Sequence, residues 1–164
     1  MRTPVEIDAL LAAPKRILGA PQWNEMGPKA ALSAALADED GALIGGVSLR
    51  LNVLTHLPSP SGNAIFLLDR APVQRLSFRP DHSHVNPARY PIPAELKRLK
   101  LPADASRIYR WDDDRLWPRP DKIGVGRSLR PEPATVEDAF ALFLKICGIA
   151  GRVEPPPHRP KLEF

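Results

Sequence analysis

Two histidines stand two residues apart, His82 and His84, between Asp81 and Asn86 in the stretch RPDHSHVNPARYP from Arg79 to Pro91. Imidazole titrates near working pH and guanidinium grips phosphate through paired donors. His82 and His84 as acid and base, with Arg75, Arg79 or Arg89 stabilising the phosphate charge, are therefore the residue types of metal-independent RNA cleavage. The same imidazoles, with Asp81 beside them and His56 in the sheet region, also suit zinc. Neither chemistry has a complete signature. The chain holds no HExxH, no CxxC pair and no second motif that fixes a nucleophile, so no metal site and no cofactor are assigned.

Arginine is the more consistent feature of this region. Residues Arg70 to Arg130 carry 14 Lys and Arg against 7 Asp and Glu, whereas residues 1–60 carry 5 against 6. The excess of positive charge predicts an acidic partner for the middle of the chain. Arg75, Arg79, Arg89, Arg107 and Arg110, with Trp111 and Trp117, form the predicted binding set. The leading expectation is a non-enzymatic binding or interaction module that contacts an acidic protein surface or nucleic acid through residues 70–130. The alternatives are a small nuclease of toxin type with His82 and His84 as its acid and base, and, more weakly, a zinc-binding protein.

Other motifs lead away from chemistry. The acids of Trp111-Asp112-Asp113-Asp114-Arg115-Leu116-Trp117 are consecutive and lack the alternate spacing and central glycine of a calcium loop, so a solvated acidic turn is expected. Its two tryptophans either cover the sheet or flank a partner's pocket. Gly124 to Ser128 lacks the lysine of a phosphate loop and reads as a turn, and Gly45-Gly46 reads as a bulge. Cys147, the single cysteine, falls on an apolar helical face and is expected to be inert. One thiol, no leader pattern and no apolar run of about 18 residues predict a cytoplasmic protein without membrane contact.

The elements that must position these residues are punctuated by 20 prolines, which are absent from Ala30 to Leu57 and from Ala134 to Gly151. Helices are predicted at Pro4 to Ala13 and over Trp23 to Asp38, where KAALSAALAD is alanine-rich with Leu32 and Leu36 four apart. Alternation of Val47, Leu49, Leu51 and Val53 predicts a half-buried strand within Ala42 to Leu57. Ala64 to Asp69 and Val73 to Phe78 follow through short connections as a meander, and Arg107 to Trp111 is a fourth candidate. Glu95 to Leu101 is read as one or two helical turns. Thr135 to Ala150 is predicted as a core helix, with Thr135 as N-cap, Asp138 in the capping-box position and Phe140, Phe143, Leu144 and Cys147 on one face.

This order of elements resembles small uncharacterised proteins of bacteria and their mobile elements. The likeness covers about Ala42 to Gly151 and is carried by Arg75, His82, His84, Asn86, Arg107, Arg110 and Trp111. It implies no activity. The predicted fold class is α+β: a small antiparallel meander of three to five strands packed against a C-terminal helix and short N-terminal helices. Residues 1–151 are read as one domain and 152–164 as a proline-rich extended or disordered tail.

Overall fold

A computed structural model describes residues 2–88, 91–114 and 123–160. Arg89 and Trp117 of the predicted binding set lie outside the described residues.

The alternation read at Val47 to Val53 belongs to β4 (Leu43–Leu54), a 12-residue strand at the centre of the sheet. On one side it pairs with β5 (Ser61–Leu68), which pairs with β6 (Ala71–Phe78), as the meander requires. On its other side lies β3 (Lys29–Ala37). That strand corrects the helix expected over Trp23 to Asp38. Ala30, Leu32, Ala34 and Leu36 are all buried and the residues between them are not, a period of two. Leu32 and Leu36 share a face in a strand as well as in a helix. Eight register pairs with β4 then outweigh the helix preference of alanine. Gly27, at φ +59, turns the chain back from β2 (Asn24–Met26) into β3.

The predicted small meander is therefore contradicted. Among the described residues the fold has one nine-stranded mixed sheet, a separate two-stranded sheet and three helices. Beyond β3, β1 (Lys15–Ile17) pairs with β3 and, in parallel, with β11 (Ile149–Ala150). Beyond β6 come β9 (Arg107–Tyr109) and the edge strand β10 (Gly126–Ser128), which replaces the turn expected there. The small sheet pairs β7 (His84–Val85) with β8 (Lys100–Leu101). Of the helical turns expected at Glu95 to Leu101, one 3₁₀ turn at Ala94–Leu96 forms. Strands of two or three residues carry too little periodicity to be read from sequence.

The helices cover one face of the sheet. In α1 (Pro4–Ala12), Thr3 and Glu6 close a capping box and Ile7 and Leu10 face inward. Lys15 is buried, and its ammonium donates to the carbonyls of Leu10, Leu11 and Ala13 at 2.6, 3.2 and 2.5 Å, capping the C-terminus of α1. The predicted core helix is α3 (Val136–Ile146), with Thr135 Oγ1 accepting from the Asp138 N–H. It buries Val136, Ala139, Phe140, Phe143 and Leu144 against Leu49, Leu51, Phe66 and Leu76 of the sheet. Gly62 sits beneath it, where a Cβ would come within 3.0 Å of Val136. Cys147 is buried in the same core, and desolvation pushes its thiol up to about 12, the state of an inert cysteine.

The acidic turn is also corrected. Trp111 to Asp114 form the short helix α2, and Asp113 is largely buried, its two carboxylate oxygens accepting from Nε and Nη2 of Arg127 at 2.7 and 2.8 Å. Trp111 is buried on the helix side, its indole N–H donating to Asp8 at 2.9 Å. Residues 152–160 run extended along the molecule. The Trp23 indole donates to the Glu154 carbonyl and the Arg159 N–H to that of Thr55. Among the described residues no helix is long and apolar enough to cross a membrane.

Candidate functional site

The face of the sheet away from the helices is polar, and the strand registers say which residues make it. Directly paired residues on neighbouring antiparallel strands point to the same face. One row across the sheet is Ala31, Asn52, Asn63, Ser77, Arg107 and Ser128, and the next is Ser33, Arg50, Ile65, Arg75, Tyr109 and Gly126. Neither row contains a carboxylate. At the β3–β4 end the side chains are small or exposed, with Ser33 and Arg50 in solvent and Ala31, Asn52 and Asn63 half-buried. Ser77 donates to Asn63 Oδ1 at 2.7 Å, tying adjacent strands together on this face.

At the β9–β10 end the same face is covered by the β7–β8 hairpin. Asn86 is its anchor. The buried Asn86 amide donates to the carbonyls of Leu96 and Gly126 at 3.0 and 2.8 Å and accepts from the Gly126 N–H at 2.8 Å. A Cβ at Gly126 would fall 2.7 Å from Leu101 and 3.3 Å from Tyr109, so the cover lies directly on β10. Ile92, Leu96 and Val125 form a small second core within it.

Beneath the edge of this cover four predicted or neighbouring residues converge. Arg75 lies half-buried with its guanidinium carbon 4.2 Å from the centre of the Tyr109 ring. His84 meets the same ring edge-on at 5.3 Å. Arg107 is fully buried and donates to the carbonyls of Leu101 at 3.3 Å and His82 at 2.8 Å. Neither Arg75 nor Arg107 makes an ion pair with a carboxylate among the described residues. Three buried polar atoms here have no hydrogen-bond partner among the described residues: Arg75 Nε, Arg107 Nε and Tyr109 Oη. Among the described residues the only other such atom is His56 Nδ1. Buried donors are ordinarily satisfied, and buried charges ordinarily paired, so a cluster of exceptions marks a place where something else completes the site.

His84 Nε2 lies 2.9 Å from the Gly124 carbonyl, which can only accept, so in the neutral ring this nitrogen carries the proton. Burial holds the imidazole below its ordinary pKa, and the charges of Arg107 and Arg75 push the same way. A depressed value in the folded state means stability that is present above the ordinary imidazole pKa and lost as pH falls through the folded one. His84→Gln is expected to flatten that part of the acid limb, read by urea denaturation between about pH 5 and 7. A variant curve as steep as wild type would contradict it.

The remaining predicted residues are placed elsewhere. His82 is two-thirds exposed, its Nδ1 paired with Asp81 at 2.9 Å, so the two histidines occupy different surroundings. Arg79 packs over Phe78 at 5.1 Å and donates to the Ala134 carbonyl at 3.4 Å. Arg110 is exposed, 3.8 Å from Asp112. No group of three or more His, Cys, Asp and Glu side chains is placed to hold a metal among the described residues. Arg50, Asn52, Asn63 and Tyr109 were not singled out by sequence. Their polar positions opposite Leu49, Leu51 and Ala64 in alternating strands are the signal that could have found them. Compared with known proteins, the chain matches no family model, no curated protein and no solved structure.

Proposed function

We propose that the protein is a non-enzymatic binding module that takes a single-stranded nucleic acid across the open polar face of its sheet. The observation that carries this reading is a face with Arg50 and Arg75 in one row, no carboxylate in either row, and at its covered end a buried Arg107 that has no carboxylate partner among the described residues. Two arginines in one row, on β4 and β6 with Ile65 of β5 between them, suit successive phosphates of a strand, and the amides of Asn52 and Asn63 in the next row suit base edges. An acidic protein would answer the charge but would leave those amides without a matching role.

The reading differs from the expected surface over residues 70–130 in drawing on β4 and β5 and in leaving Trp111 to the core. Arg50→Ala and Arg75→Ala are each expected to weaken binding of a labelled single-stranded oligonucleotide and to reduce the slope of log affinity against log salt by about one. Fluorescence anisotropy at several salt concentrations measures both. Binding that is unchanged in the two variants, or that prefers an acidic peptide at matched ionic strength, would overturn the proposal.

A further inference from the structure

We propose that Arg75, Arg107 and Tyr109, beneath the edge of the β7–β8 hairpin, form a subsite for one phosphate group at the end of a nucleic-acid chain. The inference rests on the reading of the polar face as a nucleic-acid surface and adds to it what the covered end recognises. Three buried donors on these neighbouring residues have no acceptor of their own among the described residues: Arg75 Nε, Arg107 Nε and Tyr109 Oη. Two of the three belong to side chains with at most 1% exposure, Arg107 and Tyr109, and the third to the half-buried Arg75 at the boundary with the open face. The registers hold Arg75 opposite Tyr109 and place Arg107 two residues along the same strand, so the backbone itself fixes the spacing of the donors.

The chemistry of the donor set selects the ligand. Guanidinium and phenol N–H and O–H groups offer protons and no negative charge, and the nearby His84 is hydrogen-bonded to Gly124 rather than to a carboxylate. An oxyanion with several acceptor oxygens satisfies all three donors at once and neutralises a guanidinium buried without an ion-pair partner among the described residues. Position then selects the end of a chain over its interior. An internal phosphate has nucleotides on both sides, whereas here the hairpin lies over β9 and β10 and, among the described residues, the uncovered polar face lies over β6, β5 and β4. A terminal phosphate enters under the cover and the rest of the strand leaves past Arg75 towards Arg50.

The test compares a single-stranded oligonucleotide carrying a phosphate at its 5′ or 3′ end with the same sequence ending in hydroxyls, at fixed ionic strength. Inorganic phosphate is titrated separately and followed by ³¹P NMR line broadening. Wild type is expected to prefer one phosphorylated end by about tenfold, as one charge-assisted group warrants, and Tyr109→Phe, which keeps both guanidinium groups, to lower that ratio several-fold. Tyr109→Phe keeps the ring under Arg75, and its melting curve checks the fold where Arg107→Ala need not survive. Oligonucleotides that fail to bind at all would remove the polar-face reading. The subsite would then stand on phosphate broadening that Tyr109→Phe weakens. It is overturned by equal affinity for phosphate and hydroxyl ends, by a preference undiminished in folded Tyr109→Phe, or, where no oligonucleotide binds, by the absence of phosphate broadening.

Discussion

Replacing Phe143 by alanine is expected to lower the stability of the protein by about 3–5 kcal/mol, the range for removing a large side chain from a packed core. The ring is fully buried, and it belongs to the same cluster as Phe66, Leu76, Phe140 and Leu144. α3 is also the link between β10 and β11, so loosening it removes support from both ends of the sheet. Urea denaturation should show a lower midpoint with little change in slope. For a chain of this length the melting temperature should fall by roughly 10 °C. A variant that melts with wild type would mean that the ring does not hold α3 on the sheet.

Asn86→Ala should cost nearly as much, by a different route. One amide satisfies two carbonyls and one N–H in a buried setting, and alanine leaves all three without it. Each deserted group costs on the order of 1–3 kcal/mol before relaxation, so a net loss of about 2–4 kcal/mol is expected. The loss should also be local. Amide hydrogen exchange is expected to accelerate across β7, β8 and β10 while β3 to β5 keep their protection. Uniform acceleration throughout the sheet, or none, would contradict the assignment of Asn86 as the anchor of the cover.

How much of this could be read from sequence divides along physical lines. The strand at Val47 to Val53 and the helix after Thr135 were legible because long periodic runs repeat one signal many times. β3 was not, since Ala30 to Ala37 offers a helix former at nearly every position and its hydrophobic spacing fits both periods. Only pairing with β4 decides between them. Parallel pairing of β1 with β11 joins residues more than 130 positions apart through two or three residues each, and nothing local encodes it.

The site was legible in residue type and illegible in arrangement. Arg75, His84 and Arg107 were singled out for charge and titration, and they do converge. What brings them together is the register Arg75 opposite Tyr109 and the Asn86 bonds that seat the hairpin, neither of which has a sequence signature. Spacing gave His82 the same standing as His84. The first lies at the surface, hydrogen-bonded to the exposed Asp81, while the second is turned inward and bonded to the Gly124 carbonyl. Trp111, placed in the binding set but equally readable as cover for the sheet, is buried on the helix side and bonded to Asp8.

The polar face itself can be watched directly. In a ¹⁵N NMR titration with a single-stranded oligonucleotide, side-chain signals report on a face more cleanly than backbone amides do. Saturable shifts are expected for the Asn52 and Asn63 amide NH₂ groups and for the Arg50 and Arg75 Nε–H groups, all of which the registers place on the polar face. The indole N–H groups of Trp111 and Trp23, engaged with Asp8 and the Glu154 carbonyl, should stay in place. Shifts confined to the tryptophans, or none at any of the four polar side chains, would contradict the claim that this face is where the partner binds.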